Sequence, residues 1–358
     1  MTRRETARII RRIHSVRRDI MLSLNELWFV LVAVLFIGFF FLEGFDFGVG
    51  MSTKFLAKND MERRVLINSI GPFWDANEVW LLTAGGAMFA AFPNWYATLF
   101  SGYYTPLVVL LLALIARGVA FEFRGKVGHE KWKSTWDWSI FIGSLLPPFL
   151  LGVVFSGLLK GLPIGEDMEM KAGLFDMVNL YTLVGGITVV MLCLVHGLLF
   201  ASLRTTGSLQ ERARKLARKL LIPLAALFVL FGVLTFFETD VFEVRGVLIG
   251  LVAVLGVAAF VLAGWFISKQ KDGWAFGMTG TMIALSIAAV FVGLFPRVMV
   301  SSISEAFSLT IDNAASGHYS LKVMTIVALS LLPFVLGYQI WSYFVFHKRV
   351  HEKEHLEY

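Results

Sequence analysis

Four carboxylates are the residues in this sequence best suited to chemistry. Glu43 and Asp46 lie in FLEGFDFGVG, and Asp75 and Glu78 lie in GPFWDANEVWLL. Each pair is spaced i, i+3, so each shares one helix face. Both stretches are otherwise apolar, and an ionisable group inside or at the edge of a bilayer is costly and functional by default. Carboxylates so placed bind and release protons or cations, so four at one membrane level outline a path for them. The competing role is structural: acids capping helix ends, with Asp75 near an N-terminus favourable to the dipole. Trp74 precedes the second pair and Asn77 lies within it, and Arg117 ends a later apolar run at the same side. Arg117 either pairs with the acids or snorkels to the surface.

Few other residues suggest a centre. His196 is the histidine well inside an apolar run, a weak candidate for haem ligation beside the commoner role of bonding two helices together. No second intramembrane histidine accompanies it, which argues against a bis-histidine haem in this chain. His129, His318, His347, His351 and His355 fall in loops or near span ends and read as solvated. The single cysteine, Cys193, makes neither an internal disulfide nor a thiolate metal site and reads as packing. No metal site and no phosphate-binding loop are expected. Gly44 and Gly48 have the small-xxx-small spacing that lets helices approach closely.

The elements that hold these residues are long apolar runs. Of 358 residues, 57% are hydrophobic and 16% charged, and the mean hydropathy is +0.72. A bilayer core takes about 20 apolar residues per helix, and these runs are too long for barrel strands. The fold class is all-α, a polytopic membrane protein of about nine transmembrane helices: residues 24–50, 75–93, 99–118, 137–158, 176–203, 217–237, 246–268, 274–296 and 320–346. Little chain remains for an extramembrane domain. Leu27–Leu42 spans about 24 Å as helix, which sets Glu43 and Asp46 near the inner edge of the hydrocarbon. The Pro147-Pro148 pair is expected to kink the fourth span.

Loop charge sets the orientation. Arg204–Lys219 has net charge +5, and Met51–Gly71 and Arg117–Asp137 each have +2. On the alternate side Pro93–Leu99 is uncharged, and Lys160–Asp176 and Glu238–Arg245 each have −2. Lys and Arg mark the cytoplasmic side, so the C-terminus is expected inside and the start of the first span outside. Residues 1–20 oppose this, with seven arginines against Glu5 and Asp19. They lack the apolar region and cleavage site of a targeting sequence. We therefore expect a native start at Met21; intact mass of the natural protein tests it. Without that segment the net charge falls from +6 to +1 and carries no message about nucleic acid.

The strings GFDFGVG, ERRVLINSIGPFWDANEVWLLTAGGAMFAAFPNWYATLFSGYY, WDWSIFIGSLLPP, LRTTG and FPRVMVSS…SLTIDNAASGHYSLKVMT resemble subunit II of the bacterial cytochrome bd-type quinol oxidases, the cytochrome d ubiquinol oxidase subunit 2 family. The resemblance covers about residues 22–346. It implies two four-helix bundles plus a peripheral helix: 21–158 the first bundle, 159–296 the second, 297–346 an outer loop and ninth helix, 347–358 a cytoplasmic tail. It implies a subunit of an aerobic respiratory enzyme in the bacterial cytoplasmic membrane that oxidises quinol and reduces dioxygen to water. The partner is a haem-bearing subunit I that ligates haem b and haem d, often with a small single-span subunit; lipid and quinone are further partners. Subunit II is expected to give support and a cytoplasmic proton path. Asp75, in the family's WD dipeptide, ranks first on that path, then Asp46 of the GFD motif and Glu43, with Glu78 last. A proton-coupled secondary transporter and a purely structural oxidase subunit are the competing readings. A transporter predicts acids near the midplane on broken helices and an inverted repeat, and no clear repeat is visible. An oxidase with b-type haem in place of d is a variant this subunit does not decide.

Overall fold

Apolar runs of this length leave the backbone one solution, a bundle of helices. The computed structural model describes residues 23–350. The arginine-rich segment 1–20, the expected start at Met21, and His351 and His355 lie outside the described residues. Twelve α-helices follow in order: α1 Leu24–Ser52, α2 Asp60–Ile70, α3 Trp74–Ala91, α4 Pro93–Gly102, α5 Tyr104–Phe123, α6 Glu130–Lys160, α7 Leu174–Met177, α8 Leu180–Arg204, α9 Gly207–Glu238, α10 Val241–Ser268, α11 Asp272–Leu294 and α12 His318–Val345.

Among the described residues, eight helices are long and apolar enough to cross a membrane: α1, α5 with the short turn after it, α6, α8, α9, α10, α11 and α12. The expected span 75–93 is α3, which is only 18 residues long and is not among them. Asp75, Asn77 and Glu78 in its first turns are the reason. The expected span at 99–118 is also divided: the backbone breaks at Tyr103 (φ −89°, ψ 24°) between α4 and α5. By contrast, α6 is one assigned helix through Pro147 and Pro148.

Helices α1, α3, α5 and α6 pack together, as do α8 to α11, and the groups meet where α1 and α6 lie on α8. The α1–α8 contact is close because both sides are glycine. A Cβ on Gly48 would stand 2.7 Å from the Gly197 Cα. Helix α12 touches chiefly α1 and α3, and only Leu321 of it is buried, so it is the peripheral helix. Trp28 fastens its start by donating to the Thr325 hydroxyl at 3.0 Å.

At one end, residues 297–317 form a cap. Strand β1 (Arg297–Met299) pairs antiparallel with β2 (Leu309–Thr310), the Ser316 N–H donates to the Ala91 carbonyl at 2.8 Å, and Asn25 Nδ2 donates to Asp312 at 3.1 Å. The other end is tied by ion pairs. Arg124 bridges Asp60 and Asp137 at 2.5 and 2.6 Å, Arg212 meets Glu62 at 2.7 Å, and Arg214 grips Asp272 with two nitrogens at 2.8 and 2.7 Å.

Candidate functional site

The local fold of α1 explains where its acids go. Ser23 and Glu26 form a reciprocal N-terminal cap, and the helix then runs unbroken to Ser52, about two and a half turns past Glu43. Glu43 and Asp46 are therefore set inside the bundle and not at a helix end. Both are fully buried, at 0% exposure.

Each acid has a different partner. Arg117 of α5, also 0% exposed, makes an ion pair with Glu43. The Arg117 guanidinium lies over the rings of Phe47 at 4.7 Å and Phe121 at 5.6 Å, so its faces are covered by apolar surface. Gly143 of α6 makes room for it: a Cβ there would approach the Arg117 Cβ to 2.7 Å. Asp46 accepts a hydrogen bond of 2.7 Å from Asn77 Nδ2 of α3. Asn77 Oδ1 in turn accepts from the Tyr343 hydroxyl of α12 at 2.8 Å. The amide is thus held from both ends, and its orientation follows from its partners' chemistry.

The second pair is graded outward. Glu78 is half-buried and Asp75 exposed. Glu78 stands within Coulombic reach of Arg117, Asp75 and Glu43, and it lines one part of an apolar cavity of about 840 Å³ between α3, α4, α5 and α6. Trp74 packs on Phe121 with ring centres 5.3 Å apart. The structure thus brings Glu43, Asp46, Asn77 and Arg117 into one buried cluster, sets Glu78 at its margin, and leaves Asp75 on the surface of α3.

Beyond the Glu43–Arg117 ion pair, several buried polar atoms here have no hydrogen-bond partner among the described residues: Glu43 Oε2, Asp46 Oδ1, Glu78 Oε2, Arg117 Nε and Nη1, and Ser144 Oγ. Buried polar groups of native proteins are normally satisfied, by water where protein does not reach. A set of orphaned acceptors and donors around two acids is suited to ordered water and to proton transfer along it.

His196 is differently placed. Its ring lies 4.3 Å from and nearly parallel to Phe276. Nε2 faces the Phe41 carbonyl at 3.1 Å and Nδ1 faces the Thr279 hydroxyl at 2.8 Å. A carbonyl only accepts, so Nε2 carries the proton and Nδ1 accepts from the hydroxyl. Neither nitrogen is free for iron, and the chain does not fit a haem at this position. Among the described residues no group of three or more His, Cys, Asp or Glu side chains is arranged to hold a metal ion.

Tyr343 is the participant that sequence reasoning passes over. It lies 266 positions from Asn77, and no local spacing announces the contact.

The comparisons agree with this architecture. Residues 24–346 match the family model for cytochrome bd terminal oxidase subunit II. Among similar proteins is the cytochrome bd ubiquinol oxidase subunit 2 of Bacillus subtilis, 61% identical over 338 residues, covering 94% of this chain and 100% of the relative. The cytochrome bd-I ubiquinol oxidase subunit 2 of Escherichia coli K12 is 36% identical, covering 93% and 97%. A chain in the structure of bd oxidase from Geobacillus thermodenitrificans superposes with a TM-score of 0.73 over 91% of this chain and 100% of its own length; at 20% identity that likeness bears on the fold. The chain belongs to the cytochrome bd terminal oxidase subunit II family.

Proposed function

We propose that this chain supports the haem-bearing subunit I of a quinol oxidase and carries protons from the cytoplasm toward it. The observation that carries the reading is the buried cluster of two carboxylates facing one guanidinium. When Glu43 and Asp46 are both ionised the trio has one negative charge in excess, and a single proton makes it neutral. Such a cluster takes up and hands on one proton at a time. The gradient of burial from Asp75 through Glu78 to Glu43 and Asp46 gives the hand-off a direction between the surface of α3 and the interior.

The geometry also favours a face for the partner. Val79, Leu82 and Phe89 of α3 are exposed at 49%, 67% and 60%, beside Asp75 and Glu78. An acid facing lipid is costly, so we assign this face to subunit I. The relatives are named ubiquinol oxidases, and the oxidase reading places quinol oxidation, haem b and haem d outside this chain. A small single-span subunit would add to the same assembly. Dioxygen reduction consumes protons; drawing them from the cytoplasm while quinol releases its own outside separates charge without a pump. The basic loops put that uptake side at Met51–Gly71, Arg117–Asp137 and Arg204–Lys219, with the C-terminus cytoplasmic and the start of α1 outside.

The test is turnover in the assembled oxidase. Asp46→Asn and Asp75→Asn are expected to lower oxygen consumption about tenfold or more, in the range of a lost proton-transfer group, with haem spectra intact. Unchanged turnover in fully haem-loaded variants removes those residues from the path. Loss of haem in both supports the purely structural role. The transporter reading finds less support, because α1 is continuous through its acids where that reading expects a broken helix.

A further inference from the structure

A second cavity, of about 660 Å³, lies between the C-terminal half of α12 and a wall made by α1, α3, α8 and α11. This is within the size range of sites for small organic ligands. Its lining is largely apolar, with Phe41, Phe45, Phe276, Leu336 and Ile340, and its mouth carries Arg204, His347 and Arg349; among the described residues no Asp or Glu lines it. The mouth is closed on one side where the Val350 N–H donates to the Arg204 carbonyl at 2.8 Å, which brings the chain after α12 against the end of α8.

Arg204 is the unusual residue. It is 6% exposed, and its Nε is buried with no hydrogen-bond partner among the described residues. Its guanidinium lies over the Phe73 ring at 5.6 Å. Arg63, Arg124, Arg212 and Arg214, at the same end of the molecule, each hold a carboxylate. Among the described residues Arg204 and Arg349 form no ion pair. A second buried donor without a partner, Gln339 Nε2, also belongs to a lining residue. A buried cation with an unused donor wants an anion, and guanidinium matches phosphate geometry in particular. Basic pockets between membrane helices on the cytoplasmic side are suited to anionic lipid head groups.

We propose that this cavity binds an anionic phospholipid, its phosphate held by Arg204 and Arg349 and an acyl chain lying along Phe41, Phe45, Leu336 and Ile340. Free phosphate would use the mouth alone and leave the apolar lining unexplained, so the amphiphile is the better match. The lipid would fasten α12 to the α1–α8 wall at the end where Tyr343 meets Asn77.

The experiment uses the purified oxidase with its partner subunit, exchanged through detergent and examined by native mass spectrometry with phosphatidylglycerol or phosphatidylcholine added. The wild-type complex is expected to keep one phosphatidylglycerol and to release phosphatidylcholine. Arg204→Gln with Arg349→Gln is expected to weaken retention about tenfold or more, since charge-assisted hydrogen bonds are lost. Ile340→Trp should expel the lipid with both arginines in place. Ile340 and Arg349 are exposed residues, so Ile340→Trp and Arg349→Gln carry the test should Arg204→Gln fail to assemble. Equal retention of the two lipids, undiminished retention in the arginine variants, or no lipid in the wild-type complex because the partner fills the cavity, each overturns the proposal. So does an adduct that inorganic phosphate displaces while Ile340→Trp leaves it untouched, because the site is then one for a free anion.

Discussion

Arg117 decides whether the acid cluster is tolerable. Two carboxylates at 0% exposure face one guanidinium that is itself at 0% exposure. Desolvation of three ionisable groups is costly, and their mutual attraction repays it only in part. Removing the cation alone is therefore far worse than removing a whole pair. Arg117→Met is expected to destabilise the subunit by about 3–5 kcal/mol. Adding Glu43→Leu to it should restore much of the loss, because the uncompensated charge goes with it. Denaturation of the purified oxidase in detergent, followed by tryptophan fluorescence, measures both. If the double variant is less stable than Arg117→Met, the pair is held by packing and not by charge balance. Turnover should separate the two roles, since the double variant recovers stability without recovering the cluster proposed to bind protons.

At the scale of elements, α3 and α12 work as a unit. Helix α3 is 18 residues long and spends its first turns on Asp75, Asn77 and Glu78; α12 has one buried residue. Neither is anchored by a wide apolar face, and side-chain bonds join them: Trp80 Nε1 to Gln339 at 3.0 Å and Tyr343 to Asn77 at 2.8 Å. The Tyr343 ring also stacks on Phe73 at 4.4 Å. Tyr343→Phe keeps the ring and removes only the hydroxyl that fixes the Asn77 amide. We expect turnover to fall several-fold, with haem content unchanged and an altered pH profile, while Asn77→Asp changes the pH profile more strongly by adding a third acid. An unaltered profile in Tyr343→Phe reduces the contact to a structural tie. Glu43, Asp46 and the arginine that could meet them were legible in the sequence, because apolar runs isolate charged residues and i, i+3 spacing assigns a face. The division of labour was not. Asp75 and Glu78 share a motif with Asn77, yet Asn77 turns inward and Asp75 outward, and helical phase relative to α1 is a tertiary property. The polarity of the first turns of α3, which keeps it off the set of self-evident spans, is written in Asp75, Asn77 and Glu78 themselves.

At the scale of the whole molecule, the two ends are built differently. The end at 297–317 is closed largely by backbone and amide hydrogen bonds, with one arginine, Arg297, holding Asp240. The end at Met51–Gly71 and Arg204–Lys219 is closed by carboxylates held by arginines, and this makes its stability depend on pH. Burial works to raise the Glu62 carboxyl, but hydrogen bonds from Arg212 at 2.7 Å and from the Lys58 N–H at 2.6 Å outweigh it and hold the group below its ordinary value of 4.5. Asp60 behaves alike: burial opposes, and Arg124 and Lys133 prevail. A carboxyl whose value is lower when folded binds more protons when unfolded, so its contribution is complete above the ordinary value and is lost as pH falls through the folded one. Glu62 has a side chain only 7% exposed while Asp60 is 40% exposed, so Glu62 should dominate, with solvent screening most of the Asp60 effect. Glu62→Gln should therefore lower the thermal midpoint of the purified oxidase at pH 7. The gap from wild type should narrow as pH drops below 4.5, because protonated Glu62 then resembles the glutamine. A gap that stays constant to pH 3.5 would show that Glu62 acts through packing of α2 against α9, and the arginine clamp would lose its electrostatic role.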